Sequence, residues 1–203
     1  VALVRHALGE RGLDRVINTH LHSDHCGGNA LLQQEFGSRV FVPDGEAAKA
    51  RAWDEDALSF RKTGQSCARF TVDGTIKPGD ELVLGDLHWR ALAAPGHFDS
   101  LVFFCEQEGI VISADALWEN GFGVIFPELD GDSGFAEARA TLQLIDSLDA
   151  RLAIPGHGKP FGDVRAACAR ALARVDYLAA DPLRNAQNGV KVLLKFLLLE
   201  GQS

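Results

Sequence analysis

No stretch of this 203-residue chain approaches the ~20 consecutive apolar residues that a membrane-spanning helix needs. The longest aliphatic run, Val190 to Leu199, is broken by Lys191 and Lys195 at helical spacing and reads as an amphipathic helix. The opening Val1-Ala2-Leu3-Val4-Arg5 lacks the basic region, apolar core and cleavage site of a signal peptide. There is no C-x-x-C pair. The four cysteines, Cys26, Cys67, Cys105 and Cys168, are widely scattered, which argues against a disulfide framework and predicts reduced, separately buried thiols in a cytoplasmic protein. No block of Lys and Arg offsets the net charge of −8, so a nucleic-acid partner is not expected. Repeats and low-complexity segments are also missing. What remains, 46% hydrophobic and 24% charged residues, fits one soluble domain spanning 1–203 that does not engage a membrane.

Periodicity divides the chain into alternating elements. A short helix over Ala2 to Arg11, with Leu3, Ala7 and Leu8 on one side, closes near Gly12, and Arg15 to Thr19 reads as a strand. Gly27-Gly28-Asn29 opens a helix through Leu31, Leu32 and Phe36 that Gly37 ends; Arg39 to Val42 is the next strand. Residues 44–64 are irregularly helical and are expected to form an insertion or cap. From Phe70 the period changes to two: Phe70 to Val72, Glu81 to Leu84, Leu87 to Ala93, Leu101 to Phe104 and Ile110 to Ile112 read as strands, several parted by Gly-containing turns. A helix from Phe135 to Leu148, a strand over Leu152 to Ile154 and two helices within 162–199, broken at Asp181-Pro182, finish the chain. The pattern predicts a layered α/β sandwich.

The concentrated chemistry lies in His20-Leu21-His22-Ser23-Asp24-His25, ahead of Cys26-Gly27-Gly28. Four metal-binding side chains fall within six residues at the end of a strand. With 7 His in the chain, chance gives such a cluster odds under about one in a thousand. Residues two apart in an extended segment face the same way, so His20 and His22 can converge on one ion. A bend then lets Asp24 and His25 address a second. His97 in Ala94-Pro95-Gly96-His97, Asp115 in Ser113-Ala114-Asp115 and His157 in Pro155-Gly156-His157 each follow a strand directly. Taken singly, these last three read as turn residues or a helix cap; beside the first motif they read as further ligands. Cys26 reads as a small packed residue, and His6 and His88 as surface or structural histidines.

The positions His20, His22, Asp24, His25, His97, Asp115 and His157 resemble the metallo-β-lactamase fold superfamily, in its order and over residues 20–158. That resemblance implies a four-layer αββα sandwich and two divalent metal ions, with Zn²⁺ the first choice and Fe or Mn also suited to a thiolate-free N/O ligand set. It implies that His20, His22 and His97 hold one ion, that Asp24, His25 and His157 hold the other, and that Asp115 bridges them. It further implies a metal-activated water attacking a carbonyl or phosphoryl centre, with Asp24 as the catalytic proton carrier. The family places one or two strands before the first helix, so the first sheet is expected to be incomplete and to lack its N-terminal strands. The last helices are expected to lead into an absent domain.

A carboxylate bridge is unlike the true β-lactamases and resembles glyoxalase-II-like thioesterases and lactonases. Phe98-Asp99-Ser100 and Ala116-Leu117-Trp118 depart from the usual glyoxalase II motifs, and the stretch Trp118 to Leu129 resembles a bacterial subgroup of such hydrolases. Trp118, Phe122 and Phe126 either line the substrate pocket or pack in support of the metal loop. Tyr177, the one tyrosine, either hydrogen-bonds an oxyanion or lies on a helix surface. The leading expectation is a dinuclear hydrolase of a small ester, thioester or lactone. The alternatives are a single-iron persulfide dioxygenase, a β-lactamase-like enzyme or nuclease of the same superfamily, and an inactive fragment.

Overall fold

The computed structural model describes residues 1–97, 99–125 and 134–200. They form two compact units, Val1–Asp80 and Glu81–Ser203.

The first unit is built on a parallel sheet of β1 (Arg15–Ile17), β2 (Arg39–Pro43) and β3 (Gly74–Ile76), with β2 in the centre. Parallel neighbours need crossover connections, which helices supply. Between β1 and β2 run the single turn α2 (Ser23–Cys26) and α3 (Asn29–Phe36); between β2 and β3 run α4 (Asp44–Ala52) and the short α5 (Phe60–Thr63). The N-terminal helix α1 (Ala2–Leu8) buries none of its residues, and Leu3 is 85% exposed. It stops at Gly9, short of the Arg11 expected from the periodicity. The core gathers Leu21, Cys26, Val40, Val42 and Phe70 with Ala47, Ala50, Leu58 and Phe60 from the 44–64 segment.

Two expectations need correction in this unit. The third strand is Gly74–Ile76 and not Phe70 to Val72. Phe70 instead packs its ring edge-on to Trp53, 5.4 Å between centroids. Asp73 then takes an edge role: its carboxylate accepts the Val40 N–H (2.7 Å) and its own N–H donates to the Val40 carbonyl (2.9 Å), which starts the strand one residue later. A Cβ at Gly74 would stand 2.5 Å from the Phe41 ring and would have to push that ring aside. The four thiols are free but not all separate, since the sulfurs of Cys26 and Cys67 lie 3.7 Å apart.

The second unit carries a five-stranded sheet in the order β4 (Glu81–Leu84), β5 (Leu87–Ala94), β6 (Ser100–Cys105), β7 (Ile110–Ala114) and β8 (Leu152–Pro155). Its first four strands are an antiparallel meander, and β8 joins β7 in parallel after the helix α6 (Phe135–Ser147). Every residue of β6 is buried, as expected of an apolar central strand covered on both faces. The helices α7 (Val164–Ala179) and α8 (Pro182–Glu200) follow. Leu142 and Ile145 of α6 and Val164, Cys168, Ala171 and Val175 of α7 share one core with Val102, Val111 and Ala153 of the sheet. Among the described residues no helix is long and apolar enough to cross a membrane.

Candidate metal centre

In the first unit the chain leaves β1 extended through His22 (φ −66°, ψ 149°) and then turns into α2. The bend holds through His25 and Cys26 N–H groups donating to the His22 carbonyl, both at 2.9 Å. Gly27 closes it, donating to Ser23 O at 2.7 Å, where a Cβ would lie 2.4 Å from that same oxygen. Asn18 and Asn29 clamp the loop from beneath. The Asn29 amide donates to Asn18 Oδ1 (2.7 Å), and Asn18 Nδ2 donates to the His25 carbonyl (3.2 Å). Gln65 adds a third tie by accepting the Ser23 N–H at 2.7 Å.

This frame gathers the imidazoles. His20 lies 4.8 Å from His22 and 4.1 Å from His25 between ring centroids. His20 and His22 are buried, whereas Asp24 is exposed and stands 3.6 Å from His25 Nε2.

In the second unit Asp115 follows a β-bulge between Ile112 and Ala114, and Ala114 is left-handed at φ 47°. The bulge re-aims the chain at the strand end, a usual device beside a functional site. Asp115 Oδ2 then sits 3.6 Å from His97 Nε2 and 3.6 Å from His157 Nε2. Two donors about 2.0–2.1 Å from one tetrahedral ion stand about 3.4 Å apart, so both spacings fit an ion between nitrogen and oxygen. The tautomer of His97 is also set. Its Nδ1 lies 2.6 Å from the Val124 carbonyl, which can only accept, so Nδ1 carries the proton and Nε2 offers a lone pair. The residues present therefore fit divalent ions, with two imidazole nitrogens turned to one carboxylate oxygen.

The support for these three residues comes from contacts that sequence reading missed. Gly123 lets the backbone pass against the site: a Cβ would stand 2.7 Å from His97 Cε1 and 3.0 Å from the Asp115 Cβ. Its N–H donates to Asp115 O at 2.7 Å. Gly96 (φ +113°) sits against α6, where a Cβ would meet the Ala138 backbone nitrogen at 2.6 Å. Thr141 Oγ1 donates to Pro95 O at 2.9 Å. The two glycines flank the motifs in the sequence, which was the available signal; the carbonyl of Val124 carried none.

The four residues proposed for substrate contact are placed differently. Trp118 is half-buried, donates its indole N–H to Asp115 Oδ1 (3.2 Å) and sets its ring edge-on to His157, 5.1 Å between centroids. Phe122 is buried in the unit's core and also lines a small cavity with His97, Asp115, Gly123, Thr141 and Leu142. Phe126 lies outside the described residues. Tyr177 is 59% exposed on α7, with the Arg184 guanidinium 4.2 Å over its ring.

Comparison with known proteins agrees with this fold. Residues 2–157 match the family model of the metallo-beta-lactamase superfamily, and the chain belongs to that superfamily. It is 29% identical over 123 residues to the hydroxyacylglutathione hydrolase of Brucella ovis, a match covering 59% of this chain and 40% of that enzyme. The chain thus spans less than half the length of that relative. Among solved structures, the metallo-beta-lactamase family protein TTHA1429 of Thermus thermophilus superposes with a TM-score of 0.66 at 24% identity, covering 98% of this chain and 81% of that one. TTHA1623, solved in a di-iron-bound form, gives 0.65 at 22% identity over 84% of this chain and 81% of its own. These likenesses show the α/β fold of the superfamily.

Proposed function

We propose that the protein is a metal-dependent hydrolase that cleaves a small ester, thioester or lactone. The observation that carries this reading is the carboxylate oxygen Asp115 Oδ2, equidistant at 3.6 Å from the Nε2 atoms of His97 and His157. Its ligands are His20, His22 and His97 for one ion and Asp24, His25 and His157 for the other, with Asp115 shared. Two divalent ions supply, when bound, a water acidified toward neutral pH and an electrophile for the substrate's acyl oxygen.

The chain's own residues do the rest. The Val124 carbonyl fixes the tautomer of His97 so that Nε2 is the atom offered to a metal, and the loop behind it keeps its ring from rotating. Asp24, exposed beside His25, orients the attacking water and carries a proton to the departing alkoxide or thiolate. No serine or cysteine nucleophile takes part. Zn²⁺ suits the N/O ligand set, and the di-iron form of TTHA1623 supports Fe as the second choice. The name of the Brucella relative supports a hydroxyacyl thioester as the first substrate to try. Four free thiols support a reducing, cytoplasmic setting, and the acidic balance supports a small-molecule over a nucleic-acid substrate.

The test is a panel of thioester, lactone, β-lactam and phosphodiester on protein of measured metal content. Turnover of a thioester or lactone at two ions per chain is expected, and Asp115→Ala should lose both activity and metal. One iron per chain with thiol-dependent oxygen uptake would replace the hydrolase reading with a dioxygenase one.

A further inference from the structure

Trp118 stands beside Asp115 without belonging to the ligand set. Its indole Nε1 is a donor with no acceptor capacity. It points at Asp115 Oδ1, the carboxylate oxygen turned away from His97 and His157, at 3.2 Å. The same ring meets His157 edge-on. One side chain therefore touches the carboxylate through its N–H and a neighbouring imidazole through its ring.

The indole is held there by the backbone. The segment from Ser113 to Gly123 folds back on itself: Ser113 Oγ donates to Leu117 O (2.7 Å), Ala116 N to Ser113 O (3.0 Å), Trp118 N to Gly121 O (2.7 Å) and Gly123 N to Asp115 O (2.7 Å). Trp118 and Gly121 pair as an isolated antiparallel bridge, and Gly121 takes φ +153°, which suits glycine. The closed loop sets the main chain from which the indole reaches Asp115 and His157.

We propose that Trp118 is a positioning residue that makes Asp115 a one-oxygen bridge. A carboxylate with both oxygens open can chelate one ion, or join two ions through separate oxygens and hold them further apart. With Oδ1 engaged by the indole, the oxygen left toward His97 and His157 is Oδ2, and the 3.6 Å spacings show it centred between them. The edge of the ring against His157 limits that imidazole's rotation. Trp118 thus sets how Asp115 shares its charge, without touching substrate. This inference rests on the reading of Asp115 as a ligand shared by two ions.

The test compares wild type, Trp118→Phe and Trp118→Leu as full chains, stripped of metal and titrated with Zn²⁺ and Co²⁺. Trp118→Phe keeps a ring against His157 and loses the N–H, and the thermal melt of the stripped proteins checks that each variant folds. The expected result is that Trp118→Phe binds the more weakly held ion about 10–100-fold less tightly, in line with loss of a supporting hydrogen bond to a ligand. Its two-Co²⁺ form should also show altered visible absorption and weaker spin coupling, which a merely structural change would leave alone. Wild-type affinity for both ions with superimposable Co²⁺ spectra in Trp118→Phe would overturn the inference.

A second measurement is made on wild-type protein before metal is added. The indole N–H resonance of Trp118, assigned as the one missing from Trp118→Phe, should exchange slowly with solvent; fast exchange of that resonance would also overturn the inference. If wild type takes up only one ion, the two-ion reading fails and the one-oxygen bridge falls with it, whereas uptake of two ions by wild type with unchanged affinity in Trp118→Phe overturns the inference alone.

Discussion

Gly123 shows how much a site can depend on a side chain that is not there. A methyl at this position would stand 2.7 Å from the His97 ring and 3.0 Å from the Asp115 Cβ, so Gly123→Ala must push one of them aside. We expect Gly123→Ala to lose metal affinity by roughly tenfold or more, read by Zn²⁺ titration, since such sites tolerate displacements of only about 0.5 Å. Ala114 carries the opposite message. At φ 47° its Cβ is strained, so Ala114→Gly should gain up to about 1 kcal/mol in denaturant unfolding while leaving metal content unchanged. The two touching cysteines differ as well. The Cys67 thiol beside Cys26 keeps the Cys26 proton in place far above the ordinary thiol range, with burial adding to the effect, while the same hydrogen bond holds Cys67 below it. Brief alkylation followed by mass spectrometry should therefore label Cys67 well before buried Cys26. The His20–His25 cluster was legible in the sequence from identity and spacing, and His97, Asp115 and His157, which the structure brings to one carboxylate oxygen, were legible only beside that cluster. Asn18, Asn29, Gln65 and the Val124 carbonyl were not, because each acts through a contact that only folding creates.

The elements were legible where hydrophobic period and turn chemistry agree, as in β4, β5, β6 and β7 with their short connections. They were misread where an alternating run serves a different purpose. Phe70 to Val72 alternates like a strand, yet Phe70 is spent on packing against Trp53 and pairing begins at Gly74. Helix α1 showed an apolar side that, among the described residues, buries nothing. On α7, Cys168 faces the core among Leu142, Ile145 and Val164, and burial, with Asp146 nearby, pushes its thiol up to about 11 from the ordinary 9.0. The folded state thus holds this proton more tightly than the unfolded chain does. The resulting stabilisation is complete below pH 9 and is lost as pH rises toward 11. Cys168→Ala should flatten that alkaline loss in urea midpoints measured across this window.

Over the whole molecule, charge and folding are linked through the ions. The chain carries −8, and two divalent ions would halve that. Because Asp115 meets His97 and His157 only after folding, ions bound there would stabilise the native state by mass action, about 4 kcal/mol at a thousandfold excess over Kd. A chelator should therefore lower Tm by several degrees, and readdition of Zn²⁺ should restore it. The two sheets also differ in how far along the chain their partners lie. In the first unit Arg15 pairs with Arg39 and Phe41 with Gly74, so each strand waits for a distant one. In the second, Leu84 pairs with Leu87 across Gly85 and Asp86, and Cys105 with Ile110. Closing a long loop costs entropy before any contact repays it, so the meander of the second unit should acquire its backbone protection first during refolding. By this order the loop that carries Asp115 is in place before the histidines that follow β1, so a chain caught early in refolding holds a formed Asp115 loop while its His20–His25 segment is still unstructured.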